Sequence, residues 1–195
     1  MIDAKARAVL DQLERQDALE RDQGVSRRER LRQVTPEVGR FLHVLVLAAR
    51  PRRVLEIGAS GGYSTIWLAT AARALGAQVT TLEIDSVKVE RAAANLRNAG
   101  LDDAVTIVPG DAFDYLRART EPIDLVFLDA EKEDYLAFLA LIVPLLPTGG
   151  LLVADNLTSH AEELAGFRRA AESDPRLATV LVPIGRGELL AVRIE

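Results

Sequence analysis

The sequence predicts an α/β fold, in which a mostly parallel β-sheet carries helices on both faces. From residue 51 onward, short aliphatic segments alternate with amphipathic segments at helical spacing. A glycine-rich turn follows the first aliphatic segment, and acidic residues end several of the later ones. Strand–helix alternation is typical of parallel sheets, because each parallel connection needs a long crossover, usually a helix.

Residues 1–50 are predicted to form an N-terminal helical extension. Apolar positions recur at helical spacing over residues 3–22. A capping-box pattern spans Ser26 to Glu29, so a second helix is expected to run through Leu31. Thr35, which a proline follows, is the expected N-cap of a third helix.

The remaining residues, 51–195, are predicted to complete a single domain. Strands are expected at 53–57, 78–84, 105–108, 123–128, 151–154, 179–183 and 189–194. Helices are expected between them at 65–75, 87–99, 112–119, 132–146 and 162–173. The last two strands are joined by a short turn only, so they are expected to pair antiparallel.

The composition excludes several classes of site. The chain has no cysteine, which excludes disulfides, thiolate metal ligands and a cysteine nucleophile. Its formal net charge of −5 argues against a broadly basic surface for nucleic acid. No apolar run is long enough for a bilayer span or a signal peptide, and a cytoplasmic location is therefore expected.

A cluster of arginines is a local exception to this charge balance. It consists of Arg27, Arg28, Arg30 and Arg32. A solvated helix face is the simpler interpretation. A contact with a phosphate carried by the substrate is the alternative.

The glycine-rich turn at residues 58–62 is a candidate binding site for a nucleotide-like ligand. Glycine lets the backbone approach a ligand closely, and such turns bind ligands at the carboxyl ends of parallel strands. Glu83 ends the second strand, 21 residues after Gly62. A carboxylate at this position can accept hydrogen bonds from both ribose hydroxyls.

Two features favour S-adenosylmethionine over a dinucleotide in this site. The G-x-G-x-x-G spacing is absent, and Glu56 precedes the turn. A carboxylate there would repel a pyrophosphate but attract the sulfonium and ammonium groups of S-adenosylmethionine. The helix that Ser64 opens suits the carboxylate of the methionine moiety. A nicotinamide dehydrogenase and a tight turn without ligand are the alternatives.

Asp111 follows the third predicted strand and has two compatible interpretations. Its carboxylate is able to accept a hydrogen bond from the adenine amino group. It is equally able to cap the helix that starts at Ala112.

Polar side chains end the fourth and fifth strands. Asp129 follows the fourth strand, and Asp155 and Asn156 follow the fifth. Neighbouring parallel strands end at the same edge of a sheet, so these side chains are expected to converge. Three oxygen ligands suit a hard cation such as Mg²⁺, whereas separate helix caps are the alternative. Without a cation, repulsion would raise the pKa of one carboxylate.

Lys132 is a candidate general base. It follows Asp129 by three residues, so both side chains face the same side of a helical turn. A neutral amine at this position is able to accept the proton of a substrate hydroxyl. A surface lysine paired with Glu131 or Glu133 is the alternative.

The chain resembles the cation-dependent O-methyltransferase family, which includes catechol and caffeoyl-CoA O-methyltransferases. The matching stretches are 35–42, 55–58, 62–64, 83–85, 110–112, 127–132 and 154–156. The resemblance extends over about residues 30–195. The combination of Asp-x-x-Lys with Asp-Asn is specific, whereas the glycine turn by itself is not.

The resemblance implies a Rossmann-like doubly wound sheet of seven strands in the order 3-2-1-4-5-7-6, often in a homodimer. It implies that Lys132 is the base and that Asp129, Asp155 and Asn156 bind the metal. Mg²⁺ is expected, with Mn²⁺ or Ca²⁺ as alternatives. The implied cofactor site consists of Val34, Glu56, Gly58, Ala59, Ser64, Glu83, Asp111, Ala112 and Asp129.

The expected activity is methyl transfer from S-adenosylmethionine to a small acceptor with vicinal phenolic hydroxyls. A tRNA-modifying methyltransferase, suggested by the arginine cluster, and a non-catalytic cofactor-binding scaffold are the alternatives. The segment after Asn156 is shorter than in plant and animal relatives, which opens the acceptor pocket or leaves a partner chain to complete it. Glu131 replaces an aromatic residue that walls the ring in animal catechol enzymes.

Overall fold

A computed structural model of the chain describes residues 2–25 and 30–195. The strands within these ranges are β1 (Arg53–Ile57), β2 (Gln78–Glu83), β3 (Val105–Pro109), β4 (Leu125–Leu128), β5 (Leu151–Ala154), β6 (Leu177–Val182) and β7 (Glu188–Arg193). They form one sheet in the order β3-β2-β1-β4-β5-β7-β6. The strands from β3 to β5 pair parallel, whereas β7 pairs antiparallel with both β5 and β6. The predicted strand order and the antiparallel last pair are confirmed.

Helices flank this sheet on both faces. They are α1 (Ala4–Asp22), α2 (Pro36–Ala49), α3 (Tyr63–Ala74), α4 (Ser86–Asn98), α5 (Ala112–Ala118), α6 (Tyr135–Ile142) and α7 (Ala165–Ser173). Short 3₁₀ turns at Lys132–Asp134 and Val143–Leu145 flank α6. Within the described ranges, no helix combines the length and apolar character that a membrane crossing requires.

Alternating side chains of the central strands build two separate apolar cores. Val54 and Phe127 pack on one face, together with apolar residues of α1, α2 and α3. Leu55 and Val126 pack on the other face, against α5, α6 and α7. Successive strand residues point to opposite faces, so a strand that is covered on both sides is apolar throughout. This explains the continuous aliphatic runs of the sequence.

The helices α1 and α2 pack on the same core as the sheet. Thr35 caps α2, since its hydroxyl accepts a hydrogen bond from the Val38 amide at 3.5 Å, as predicted. The Tyr63 hydroxyl of α3 donates to the Glu14 carboxylate of α1 at 2.7 Å. The N-terminal helices therefore cover one face of the sheet and do not form a separate layer.

The predicted helix through Leu31 is wrong where the structure describes it. Residues 30–35 are not helical, and Arg32 has a left-handed φ of +48°. The buried Leu31 packs beside the glycine-rich turn, where its carbonyl oxygen accepts a hydrogen bond from the Ser60 hydroxyl. This tertiary contact replaces the helical hydrogen bonds. The capping-box residues Ser26 and Glu29 lie outside the described residues.

Several other predicted boundaries shift by a few residues. The strand β4 begins at Leu125 instead of 123, and β6 begins at Leu177 instead of 179. The helix α7 begins at Ala165, after a set of turns, instead of 162. The helix predicted for 132–146 is interrupted before Pro144, because proline lacks the N–H that a continuous helix requires.

The spacing between α2 and α3 depends on a glycine. Gly39 of α2 faces the buried Trp67 of α3, and a Cβ at Gly39 would overlap the indole ring, with Cδ1 only 2.5 Å away. The two helices therefore approach closely only because this position carries no side chain.

We expect the substitution Gly39→Ala to lower the free energy of unfolding by about 1–3 kcal/mol, because the added methyl group overpacks this contact. Urea denaturation would measure the change. The control is Gly166→Ala in α7, where a Cβ meets no atom within 4 Å. This control should leave stability equal or slightly higher. Equal effects of the two substitutions would contradict the proposed packing constraint.

Candidate active site

One cleft of about 800 Å³ lies at the carboxyl ends of the parallel strands. The predicted site residues that line it are Gly58, Glu83, Asp111, Ala112, Asp129, Lys132 and Asn156. The predicted site residues that do not line it are buried, and these are Val34, Glu56, Ala59, Ser64 and Asp155. The structure thus gathers much of the predicted site around a single cleft.

The glycine-rich turn meets the end of β4 in direct backbone contact. Gly58 has a φ of +100°, and a Cβ there would overlap the carbonyl oxygen of Asp129. The amides of Gly58 and Ala59 both donate to the Leu82 carbonyl oxygen, at 3.0 and 3.1 Å. The turn is therefore held between β2 and β4, and residue 58 has no room for a side chain.

Glu83 is held in a fixed orientation at the end of β2. One carboxylate oxygen accepts the Ser60 amide at 2.8 Å, and the other accepts the Asp85 amide at 3.0 Å. Each oxygen retains a second lone pair. The carboxylate is thus preorganised to accept hydrogen bonds from a ligand in the cleft.

Glu56 is a fully buried carboxylate beside the turn. One oxygen accepts the Thr65 and Thr81 hydroxyls at 2.5 and 2.6 Å, whereas the other has no partner among the described residues. Burial raises the pKa of Glu56, and the hydroxyls of Ser64 and Thr65 partly offset this rise. An unpartnered carboxylate oxygen of this kind suits a cationic ligand group.

Asp111 serves as the N-cap of α5. Its side chain accepts a hydrogen bond from the Phe113 amide at 2.7 Å, which confirms the capping interpretation. The Phe113 ring stacks on Phe138 with centroids 4.2 Å apart, and both residues line the cleft. The sequence analysis did not identify this aromatic wall, because Phe113 and Phe138 lie on different helices.

Asp129 and Asn156 meet at the acidic end of the cleft. The Asn156 side-chain amide donates to Asp129 Oδ1 at 3.2 Å, and its backbone amide donates to Asp155 Oδ1 at 2.6 Å. Asn156 has a left-handed φ of +76°, a conformation that asparagine adopts more readily than most residues. The turn after β5 thereby directs Asn156 towards the end of β4.

Two further carboxyl groups are buried behind this contact. Burial, followed by the charge of Asp129, raises the pKa of Asp155 to about 6. Glu188, the first residue of β7, is also buried, and neither of its oxygens has a hydrogen-bond partner among the described residues. Burial and the neighbouring Asp155 raise the pKa of Glu188 to about 11. Glu188 is not among the residues predicted from the sequence, although it is an acidic residue at the start of an apolar strand.

A divalent cation fits this set of donors. Positive charge would relieve the repulsion between Asp129 and Asp155 and would satisfy buried carboxylate oxygens. No three His, Cys, Asp or Glu side chains within the described residues are grouped so that they alone could hold an ion. A cation here would therefore also need Asn156 and oxygen atoms from water or a ligand.

Lys132 lies beside Asp129, and its ammonium group donates three hydrogen bonds. Its Nζ atom donates to Asp129 Oδ1 at 3.0 Å, to the Ala130 carbonyl oxygen at 2.8 Å and to the Tyr135 hydroxyl at 2.9 Å. The side chain is only 9% exposed. A surface lysine paired with Glu131 or Glu133 is therefore the wrong interpretation.

Arg32 and Glu131 form an ion pair on the wall of the cleft. The guanidinium donates to the Glu131 carboxylate at 2.5 Å, although the residues are 99 positions apart. The hydrogen bond from Arg32 lowers the pKa of Glu131. Arg32 therefore already has a counter-ion, whereas Arg27 and Arg28 of the arginine cluster lie outside the described residues.

Comparison with known proteins identifies an enzyme family whose sequence model matches nearly the whole chain. Residues 4–194 match the family model described as O-methyltransferase. A catechol O-methyltransferase from Mycobacterium tuberculosis is 44% identical over 142 residues, which cover 72% of this chain and 61% of that relative. The match thus spans less than two thirds of the relative's own length.

Solved structures of similar proteins share the fold. An O-methyltransferase from Bacillus cereus, solved in complex with SAH, is 30% identical and superposes with a TM-score of 0.78. That match covers 95% of this chain and 90% of the other. The O-methyltransferase TomG from Streptomyces achromogenes, solved in complex with SAM, is 27% identical with a TM-score of 0.81, covering 96% of this chain and 90% of the other.

We expect the substitution Glu188→Gln to reduce the pH dependence of stability in the metal-free protein. The folded-state pKa of about 11 lies above the ordinary value of 4.5, so protonation stabilises the fold most fully below pH 4.5. This contribution is lost as the pH rises towards 11. Urea denaturation with chelator between about pH 6.5 and pH 8.5 should therefore show a decline of up to about 1.4 kcal/mol per pH unit, and Glu188→Gln should flatten it.

The exposed Glu90 of α4 provides the matched control. Glu90→Gln should leave the slope of the wild-type protein unchanged. The same slope in Glu188→Gln as in the wild type would show that Glu188 holds no proton in the folded state.

Proposed function

Because this chain belongs to the O-methyltransferase family, we propose that it transfers a methyl group from S-adenosylmethionine to a hydroxyl of a small acceptor. One observation carries the proposal. Asp129 bonds to both Lys132 and Asn156, and the cleft that these three residues line is also lined by Glu83. A base and a set of cation ligands thus lie beside a site suited to a ribose.

The chain's own residues would bind the cofactor through three kinds of contact. Glu83 would accept hydrogen bonds from the ribose hydroxyls, and Asp111 and Phe113 would border the adenine. Glu56 and the start of α3 at Ser64 would hold the methionine end, since one Glu56 oxygen has no partner among the described residues. When bound, S-adenosylmethionine supplies a methyl group that is activated by its sulfonium.

Asp129, Asp155 and Asn156 would hold a divalent cation, for which Mg²⁺ is the first choice because all the donors are oxygen atoms. When bound, the cation supplies positive charge that favours ionisation of an acceptor hydroxyl. Two vicinal oxygen atoms on the acceptor suit such a site, so we propose a catechol-type ring.

Lys132 would accept the proton of the acceptor hydroxyl at Nζ. Among the described residues, Asp129 is the one carboxylate that accepts a hydrogen bond from Nζ. The contacts with Ala130 and Tyr135 fix Nζ beside Asp129, where it would receive the proton. Orientation of the acceptor oxygen towards the methyl group contributes further to the rate.

We expect removal of divalent cations to abolish turnover. With catechol and S-adenosylmethionine as substrates, exhaustive chelation should lower the rate at least about a hundredfold, since the cation stabilises developing negative charge by several kcal/mol. Added Mg²⁺, Mn²⁺ or Ca²⁺ should restore activity to different degrees. Full turnover without any divalent cation would refute the metal-assisted mechanism.

We expect Lys132→Met to lower kcat by about 10²- to 10⁴-fold, the range that positioned general bases contribute. Calorimetric titration should show unchanged affinity for S-adenosylmethionine, because Lys132 Nζ bonds to none of Glu56, Ser64 and Glu83 among the described residues. The control Lys5→Met removes an exposed lysine of α1 and should leave both quantities unchanged. A Lys132→Met enzyme with wild-type kcat would remove this residue from the mechanism.

A further inference from the structure

We propose that Arg186 recognises an anionic substituent, most simply a carboxylate, on the phenolic acceptor. This inference rests on the proposed methyl transfer and specifies its substrate class. Arg186 lies in the turn between β6 and β7 and lines the cleft together with Asn156 and Lys132. Its side chain therefore borders the end of the cleft where the acceptor would bind.

Hydrogen bonds attach this turn to the segment that follows Asn156. The Arg186 carbonyl oxygen accepts the amides of Thr158 and Ser159 at 2.9 and 3.1 Å. The Gly187 carbonyl oxygen accepts the Leu157 amide at 2.9 Å. The short segment after Asn156 and the β6–β7 turn thus form one wall of the acceptor end.

Close contacts on both sides fix the position of this turn. A Cβ at Gly187 would overlap the Thr158 hydroxyl, and a Cβ at Gly185 would overlap the Val38 side chain of α2. Both glycines have positive φ, +87° and +53° respectively, which other residues rarely adopt. The backbone that carries Arg186 is therefore held between α2 and the segment after Asn156.

The Arg186 side chain is partly buried, yet it makes no hydrogen bond or ion pair with any residue that the structure describes. Arg32, which lines the same cleft, is instead bonded to Glu131. A guanidinium that is partly removed from water and has no counter-ion favours an anionic ligand. Its planar donors also match a carboxylate in a bidentate arrangement.

Several of the charged side chains that line the cleft with Arg186 are already paired or are exposed to water. Glu131 is compensated by Arg32, and the three donors of Lys132 are already engaged. Glu163 also lines the cleft, but it is exposed to water and is therefore screened. Arg186 is thus the cation at this wall whose donors remain available within the described residues.

The test compares 3,4-dihydroxybenzoate with its uncharged methyl ester as acceptors. The wild-type enzyme should prefer the acid by at least about tenfold in kcat/KM, as expected for a hydrogen bond between charged groups. Arg186→Gln should bring the ratio close to one, and Arg186→Glu should favour the ester. The control Arg97→Gln removes an exposed arginine at the end of α4 and should retain the wild-type ratio.

Calorimetric titration with the acid, in the presence of SAH and Mg²⁺, gives a second measurement that does not depend on turnover. Binding should weaken about tenfold in Arg186→Gln relative to Arg97→Gln. A wild-type ratio near one, or a ratio that Arg186→Gln leaves unchanged, would overturn the inference. If neither compound is methylated, the proposed function fails, and the relative binding of acid and ester to the wild type then decides the role of Arg186.

Discussion

The site depends on a group of three carboxyl groups, Asp129, Asp155 and Glu188, that have unequal numbers of hydrogen-bond donors. Asp129 has Lys132 and Asn156 as hydrogen-bond donors. Among the described residues, Asp155 accepts the Asn156 backbone amide and lies against the buried Glu188 carboxyl, to which no N–H group donates. Burying carboxylates in this way costs free energy unless a proton or a cation is held among them. The carboxyl groups at the ends of β4 and β5 therefore favour the binding of a proton or a cation.

The backbone contact between Gly58 and Asp129 joins the two halves of the cleft. Because no side chain fits at Gly58, the turn that precedes α3 approaches the end of β4 directly. The groups suited to the cofactor therefore lie next to the acidic cluster, and a methyl donor and a nucleophile bound in the two halves would be adjacent. Positioning of this kind contributes a large share of the rate in transfer reactions.

The part of the site that could be predicted from the sequence lies at the carboxyl ends of the parallel strands. The ends of β4 and β5 share an edge by topology, so the approach of Asp129 to Asn156 was predictable. Glu188 and Arg186 lie where an antiparallel strand returns to the sheet, and their placement depends on the register of β7 against β5. The Arg32–Glu131 pair joins residues 99 positions apart, which no local pattern shows. Residues 30–35 are not helical as predicted, because Leu31 packs against the glycine-rich turn, a contact between distant segments that local spacing does not show.

The residues that could be predicted and those that could not differ in their proposed roles. The predictable residues lie at strand ends, and the chemistry proposed for them would be common to all acceptors. Arg32, Glu131 and Arg186 lie in connecting segments, on the wall of the cleft where an acceptor would bind. A charged wall discriminates between acceptors more strongly than an apolar wall, because an unpaired buried charge costs more than a missing apolar contact. In this chain the Arg32–Glu131 ion pair occupies part of the wall. Arg186, which has no counter-ion among the described residues, occupies another part. Acceptor choice should therefore depend on the charge of the ring substituents more than on their size.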